Sequence, residues 1–161
     1  MTSDLMLPRK WTLKCQGQQV VFVKKSNEKS SHVVMKSLIW ALYLYDYPNL
    51  SVEIKIGDRY KPDVVALDDL GTPLFWGEAG QVSERKLHSL FKRYPNTHFA
   101  IGKWNQRLEP HAAILQKALK GLNRSAPCDL ISFPEDSVER FINEQDQIRL
   151  SHADLLWKRL H

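Results

Sequence analysis

The chain has 161 residues, 43% of them hydrophobic, and its 23 Lys and Arg against 18 Asp and Glu give a formal charge of +5. That size and apolar share suit one globular domain over residues 1–161 and exclude a low-complexity or repeat architecture, while the longest apolar run, Leu38 to Tyr45, falls far short of the ~20 residues that cross a bilayer. The positive balance draws polyanions, though it is also common in proteins that bind none, so DNA or RNA is a candidate partner; the short apolar run leaves no membrane partner expected.

Cys15 and Cys128 stand far apart, without the spacing of a structural zinc site or a disulfide framework. Met1-Thr2-Ser3-Asp4-Leu5 lacks the basic and apolar regions of a secretory signal, so reduced thiols and a cytoplasmic location are expected. Residues 10–25 read as a hairpin: Trp11, Leu13 and Cys15 alternate with polar residues, Gln16-Gly17-Gln18 turns, and Val20 to Val23 returns. The polar loop from Ser26 to Ser31 is rich in helix-capping residues, and Val34, Leu38, Ala41, Leu42 and Tyr45 form the apolar stripe of a helix that ends by Pro48. His32 and Lys36 lie one turn apart near its start, on a side open either to solvent or to the acids described next. Val52, Ile54 and Ile56 alternate with Glu53 and Lys55, a half-buried strand whose two charged residues face solvent.

The stretch from Tyr60 to Tyr94 carries the chemistry. Pro62-Asp63 leads into the apolar run Val64 to Leu67, Asp68-Asp69-Leu70-Gly71 makes a turn, and Leu74-Phe75-Trp76 leads to Gly77-Glu78-Ala79-Gly80-Gln81. Pairing the two runs as antiparallel strands brings Asp63 near Glu78. Two carboxylates at one sheet edge repel, and a divalent cation or a shared proton relieves that repulsion. Leu87, Leu90, Phe91 and Tyr94 then recur at helical spacing, so a helix starts beside the acids with Gln81, Arg85 and Lys86 in its first turns. Amides and cations at a helix start suit a phosphate. Acids, a metal and a basic helix start together point to phosphodiester chemistry.

Beyond it, His98 to Gly102 reads as a strand reached by a crossover. Pro110 to Asn123 reads as an amphipathic helix with Lys117, Lys120 and Arg124 outside. Asp129 to Phe133 is a short strand, Pro134 opens a helix through Val138, Phe141 and Ile142, and Ile148 to Trp157 is strand-rich with an irregularity at Ser151-His152. GxSxG, P-loop, HExxH and dinucleotide patterns are all absent, which disfavours other hydrolase chemistries.

Pro62-Asp63, a fourteen-residue spacer, Glu78-x-Gly80-Gln81 and the basic helix with Glu84-Arg85-Lys86 resemble the YaeQ family. By fold that family belongs to the PD-(D/E)xK superfamily of restriction-endonuclease-like nucleases. The likeness extends to the early strands, the helix from His32, the strand from Phe99 to Gly102 ending near Trp104, and the strand around Asp129 to Phe133. It implies an α/β (α+β) fold, a mixed β-sheet with an αβββαβ core flanked by helices, plus an N-terminal hairpin. The expected activity is a nuclease using Mg²⁺ or Mn²⁺, with Asp63, Glu78 and the Ala79 carbonyl holding the ion and Gln81 orienting water. Two positions depart from the superfamily pattern. Gly80 stands where a lysine follows the second acid, which leaves Lys86 or Arg85 to supply the cation. His32 stands where members carry an acid on the first core helix, and it is a further site residue. The alternative is a nuclease-fold module without catalysis that binds nucleic acid or a protein, as monomer or dimer, with Glu78 paired to Arg85 or Lys86.

Overall fold

The computed structural model describes residues 5–161; the stretch Met1 to Asp4, read above for a signal, lies outside the described residues. Strands β1 (Lys10–Cys15) and β2 (Gln18–Val23) form the predicted hairpin, paired from Lys10↔Val23 to Cys15↔Gln18. Its inward residues Leu13 and Phe22 are buried against α1 (Ser30–Tyr43), where Phe22 meets Trp40 edge-on at 6.1 Å. The apolar stripe of α1 is wider than its spacing predicts, because the helix lies between the hairpin and the main sheet: every residue from Val33 to Leu44 is buried. Tyr45, assigned to the stripe, falls beyond the helix and is 81% exposed.

The main sheet orders β3 (Ser51–Val52), β4 (Val64–Leu67), β5 (Pro73–Ala79), β6 (His98–Trp104), β7 (Cys128–Phe133) and β8 (Leu156–Arg159) side by side. Strand β4 runs antiparallel to both of its neighbours, β3 and β5. Strands β5, β6 and β7 are parallel, joined through α2 (Glu84–Arg93) and α3 (Leu108–Leu119), and β8 returns antiparallel. The succession α1-β3-β4-β5-α2-β6 is the expected αβββαβ core, and the whole is a mixed α+β fold with a separate small hairpin. Among the described residues no helix is long and apolar enough to cross a membrane.

Two apolar cores cover the two faces of the sheet. One gathers α1, the hairpin, Phe75, Ala79 and Ala100; the other gathers α2, α3, Trp76, Phe99 and Ile101. Gly77 lets α1 approach the sheet closely, since a Cβ there would lie 2.8 Å from Ile39 Cγ2. Alternation along β5 therefore sends Trp76 and Glu78 to the α2 face.

Several local expectations change. Ile54 and Ile56 do not extend β3, because Glu53 takes a φ of 52° and turns its carboxylate to Lys36 Nζ at 2.7 Å rather than to solvent. The helix opened by Pro134 is short, α4 (Ser137–Phe141), and residues 148–157 hold a bridge from Ile148 to Ile142 and a 3-10 turn at His152–Asp154 before β8. Arg124 is not outside. Its guanidinium is buried and donates to the carbonyls of Phe91 and Tyr94, both at 2.8 Å, and of Thr97 at 2.6 Å, closing the end of α2. Unpaired carbonyls at a helix C-terminus attract such a cation.

Candidate active site at the end of β5

The turn between β4 and β5 sets the register Val64↔Gly77, and the Asp63 amide donates to the Gly77 carbonyl at 3.1 Å. Asp63 is thereby placed next to Glu78, the carboxylate pair expected from the sequence. Asp63 Oδ2 accepts from the Ala79 amide at 2.8 Å and lies 3.4 Å from His32 Nε2. Glu78 is 5% exposed, and its Oε1 accepts from Trp76 Nε1 at 2.9 Å and pairs with Lys86 Nζ at 3.2 Å. Burial, and then the charge of Asp63, push the Glu78 carboxyl above its ordinary range; Lys86 and the Trp76 hydrogen bond oppose them.

Lys86 comes from the first turn of α2, whose start Ser83 caps by accepting the Lys86 amide at 3.1 Å. Its ammonium also stands 5.0 Å from the centre of the Tyr60 ring. Gln81 and Arg85 are both exposed, and neither contacts the acids. Gly80's amide, not Ala79's, continues the ladder to β6, donating to Gly102 at 3.0 Å. Ala79 therefore presents its backbone to the β4 side, where its amide meets Asp63, and within a strand the carbonyl of a residue points the same way as its amide.

His32 bridges two acids: its Nδ1 lies 2.5 Å from Glu28 Oε2 while Nε2 faces Asp63. The hydrogen bond to Asp63 holds the imidazole above its ordinary range against the effect of burial. Glu28 was not singled out from the sequence. It belongs to a network with Lys36, 1% exposed, whose Nζ lies 2.6 Å from Glu28 and 2.7 Å from Glu53. Burial pushes the Glu28 carboxyl up, but hydrogen bonds from Lys36, the Lys25 amide and His32 outweigh it and bring it to about 2.

A second residue escaped notice. Lys103, 6% exposed, follows Gly102 on β6 and donates from Nζ to the Gly80 carbonyl at 2.7 Å. Burial lowers its pKa. The clue in the sequence is parity: Phe99, Ile101 and Lys103 alternate onto one buried face of β6. At the opposite end of these strands a separate network encloses Asp129, which receives Tyr43 at 2.7 Å, His98 at 2.7 Å and Arg159 at 2.8 Å. His152 joins that network through the Tyr43 hydroxyl at 3.2 Å, whereas Asp154 caps the Ser151 amide, so the two do not form a site together.

Among the described residues no three Asp, Glu, His or Cys side chains converge as a ready-made metal cage. Mg²⁺ asks for less: one or two carboxylates, with water completing its shell. Asp63, Glu78 and the Ala79 carbonyl fit that donor set, and repulsion between the two acids is what a cation relieves.

No family model matches the chain, and no curated protein does. Among solved structures, the chain is similar to the YaeQ protein from Pseudomonas syringae, with a TM-score of 0.62 and 15% identity over 88% of this chain and 80% of that one. It is also similar to the YaeQ protein from Xanthomonas axonopodis pv. citri, with a TM-score of 0.60 and 14% identity over 89% of this chain and 82% of that one. At these identities the likeness is one of fold.

Proposed function

We propose that this chain is a single-domain relative of the YaeQ proteins within the PD-(D/E)xK superfamily, and that it hydrolyses phosphodiester bonds of DNA or RNA in the cytoplasm with Mg²⁺ or Mn²⁺. The observation that carries the reading is the buried Glu78 beside Asp63 at the end of β5, facing the start of a basic helix. Asp63, Glu78 and the Ala79 carbonyl would hold the ion, and His32 orients Asp63 from the other side. When bound, the ion supplies charge neutralisation at the scissile phosphate and acidifies a water. Lys86 pairs with Glu78 and opposes the upward push of burial and Asp63 on its carboxyl, Arg85 draws the phosphate, and Gln81 orients the attacking water. The water oxygen bonds to phosphorus as one ester P–O bond breaks; the water's proton passes to solvent and the departing oxygen takes one back.

A second reading has its own support, because Asp63 and Glu78 already have partners within the protein: Ala79 and His32 for one, Trp76 and Lys86 for the other. Such satisfied acids suit a module that binds nucleic acid or a protein without cleaving. Calorimetric titration of Mg²⁺ and Mn²⁺ into wild type and Asp63→Ala, with cleavage assays on single-stranded and duplex DNA and RNA, separates the two. Metal uptake and cleavage that both vanish in Asp63→Ala support the nuclease. Polyanion binding without metal uptake by either protein supports the module.

A further inference from the structure

Three lysines are buried or half-buried around this site, and two of them have acids for partners: Lys36 lies between Glu28 and Glu53, and Lys86 lies against Glu78. Lys103 differs. Among the described residues no carboxylate comes within the 4.0 Å of an ion pair, and its hydrogen bond goes to the neutral Gly80 carbonyl. An ammonium withdrawn from water without an anion is costly, and an anionic ligand at that point offsets the cost.

The position of Lys103 is as informative as its burial. Ala79 pairs with Gly102 across the parallel ladder, so Lys103 is the next residue alongside Gly80. It lies on the same face of the sheet as Glu78, and its Nζ reaches back to the end of β5, where α2 begins. Gly80 itself has a φ of +88°, a backbone conformation that strains a lysine. A lysine one strand over escapes that strain, and its Nζ reaches the Gly80 carbonyl.

We infer that Lys103 supplies the site's missing cation, its ammonium donating to a non-bridging oxygen of the scissile phosphate from the strand beside Glu78. This rests on the nuclease reading above and divides the labour among the cations: Lys86 serves Glu78, the exposed Arg85 draws the phosphate toward the site, and the buried Lys103 donates to it within the site. No proton needs to leave Lys103. It stabilises charge that grows on phosphorus oxygens as the water attacks, a contribution that is largest where water is excluded.

The test compares full-length wild type, Lys103→Gln, Lys103→Arg and Lys86→Met under single turnover with Mg²⁺ or Mn²⁺, alongside calorimetry of the ion and thermal melting. Gln keeps a donor for the Gly80 carbonyl, so a merely structural lysine is rescued by it and a phosphate-binding one is not. The expected result for Lys103→Gln is a loss of roughly 10²–10³-fold in the cleavage rate with ion affinity within about threefold of wild type. Lys103→Arg retains more activity than Lys103→Gln, because the charge remains although the geometry of the donor changes. Should Lys103→Gln fail to fold, Lys103→Met, which matches the apolar stem, takes its place with the same expected loss. Folded Lys103→Gln cleaving within about threefold of wild type overturns the assignment, and an inactive Lys86→Met in the same series moves the role to Lys86. Wild type that neither binds the ion nor cleaves overturns the nuclease reading and this inference with it, and is recognised because the loss precedes any substitution.

Discussion

Tyr43 at the end of α1 donates its hydroxyl to Asp129 on β7 at 2.7 Å, in a network that His98 and Arg159 complete with every member anchored on a different element. Burial pushes the Asp129 carboxyl up, but the hydrogen bonds from His98, Arg159 and Tyr43 outweigh it and hold it at about 2.

A depressed carboxyl contributes stability above its unfolded value and loses it as pH falls through its folded value. Wild type should therefore lose stability between pH 4 and pH 2, and Asp129→Asn should lose less over that interval. Urea unfolding followed by circular dichroism at several acidic pH values measures both slopes; parallel slopes would exclude Asp129 as the source.

Removing the acid altogether at neutral pH leaves Arg159 and His98 without their partner. Asp129→Ala should cost roughly 3–5 kcal/mol, the scale of a broken buried pair. Denaturant midpoints of the two proteins give the difference directly.

Arg124 closes the end of α2 by serving three carbonyls from one guanidinium. Arg124→Met keeps much of the apolar contact with Phe91 and Phe99 and strips away the donors. A loss of about 2–3 kcal/mol is expected, with faster amide exchange in the last turn of α2 as the local signature.

Gly77→Ala places a methyl 2.8 Å from Ile39 Cγ2 and 3.2 Å from Val64 Cβ. Overpacking of this kind costs roughly 1–3 kcal/mol. The double variant with Ile39→Leu, which keeps the side-chain volume but lacks the Cγ2 branch, should recover part of the melting temperature; no recovery would mean that the sheet, not α1, absorbs the strain.

The carboxylate pair was legible in the sequence because one short turn, Asp68 to Gly71, sets the register that joins Asp63 to Glu78, and because Leu87, Leu90 and Phe91 mark the next helix by spacing alone. Glu28, Glu53 and Lys36 were not legible as a network. Their contacts join segments far apart in the chain, and the turn at Glu53 comes from a positive φ that no alternation pattern signals. Arg124 looked like one more cation on a solvated helix face, since nothing local reveals the carbonyls of Phe91, Tyr94 and Thr97 around it. Lys103 was hidden by its type: a lysine at the end of a strand reads as an exit to solvent, and only the crossing of α3 over β6 and β7 makes its face an interior one.

Helix α1 also ties the two ends of the sheet together. His32 in its first turn touches Asp63, Tyr43 at its last residue touches Asp129, and about 16 Å of rigid helix separates them at 1.5 Å per residue. Clamped between hairpin and sheet, that rod cannot slide or rotate without breaking contacts at both ends. The candidate site should therefore melt in the same cooperative step as the Asp129 network, so that amide protection near Asp63 and near Asp129 reports one opening event rather than two.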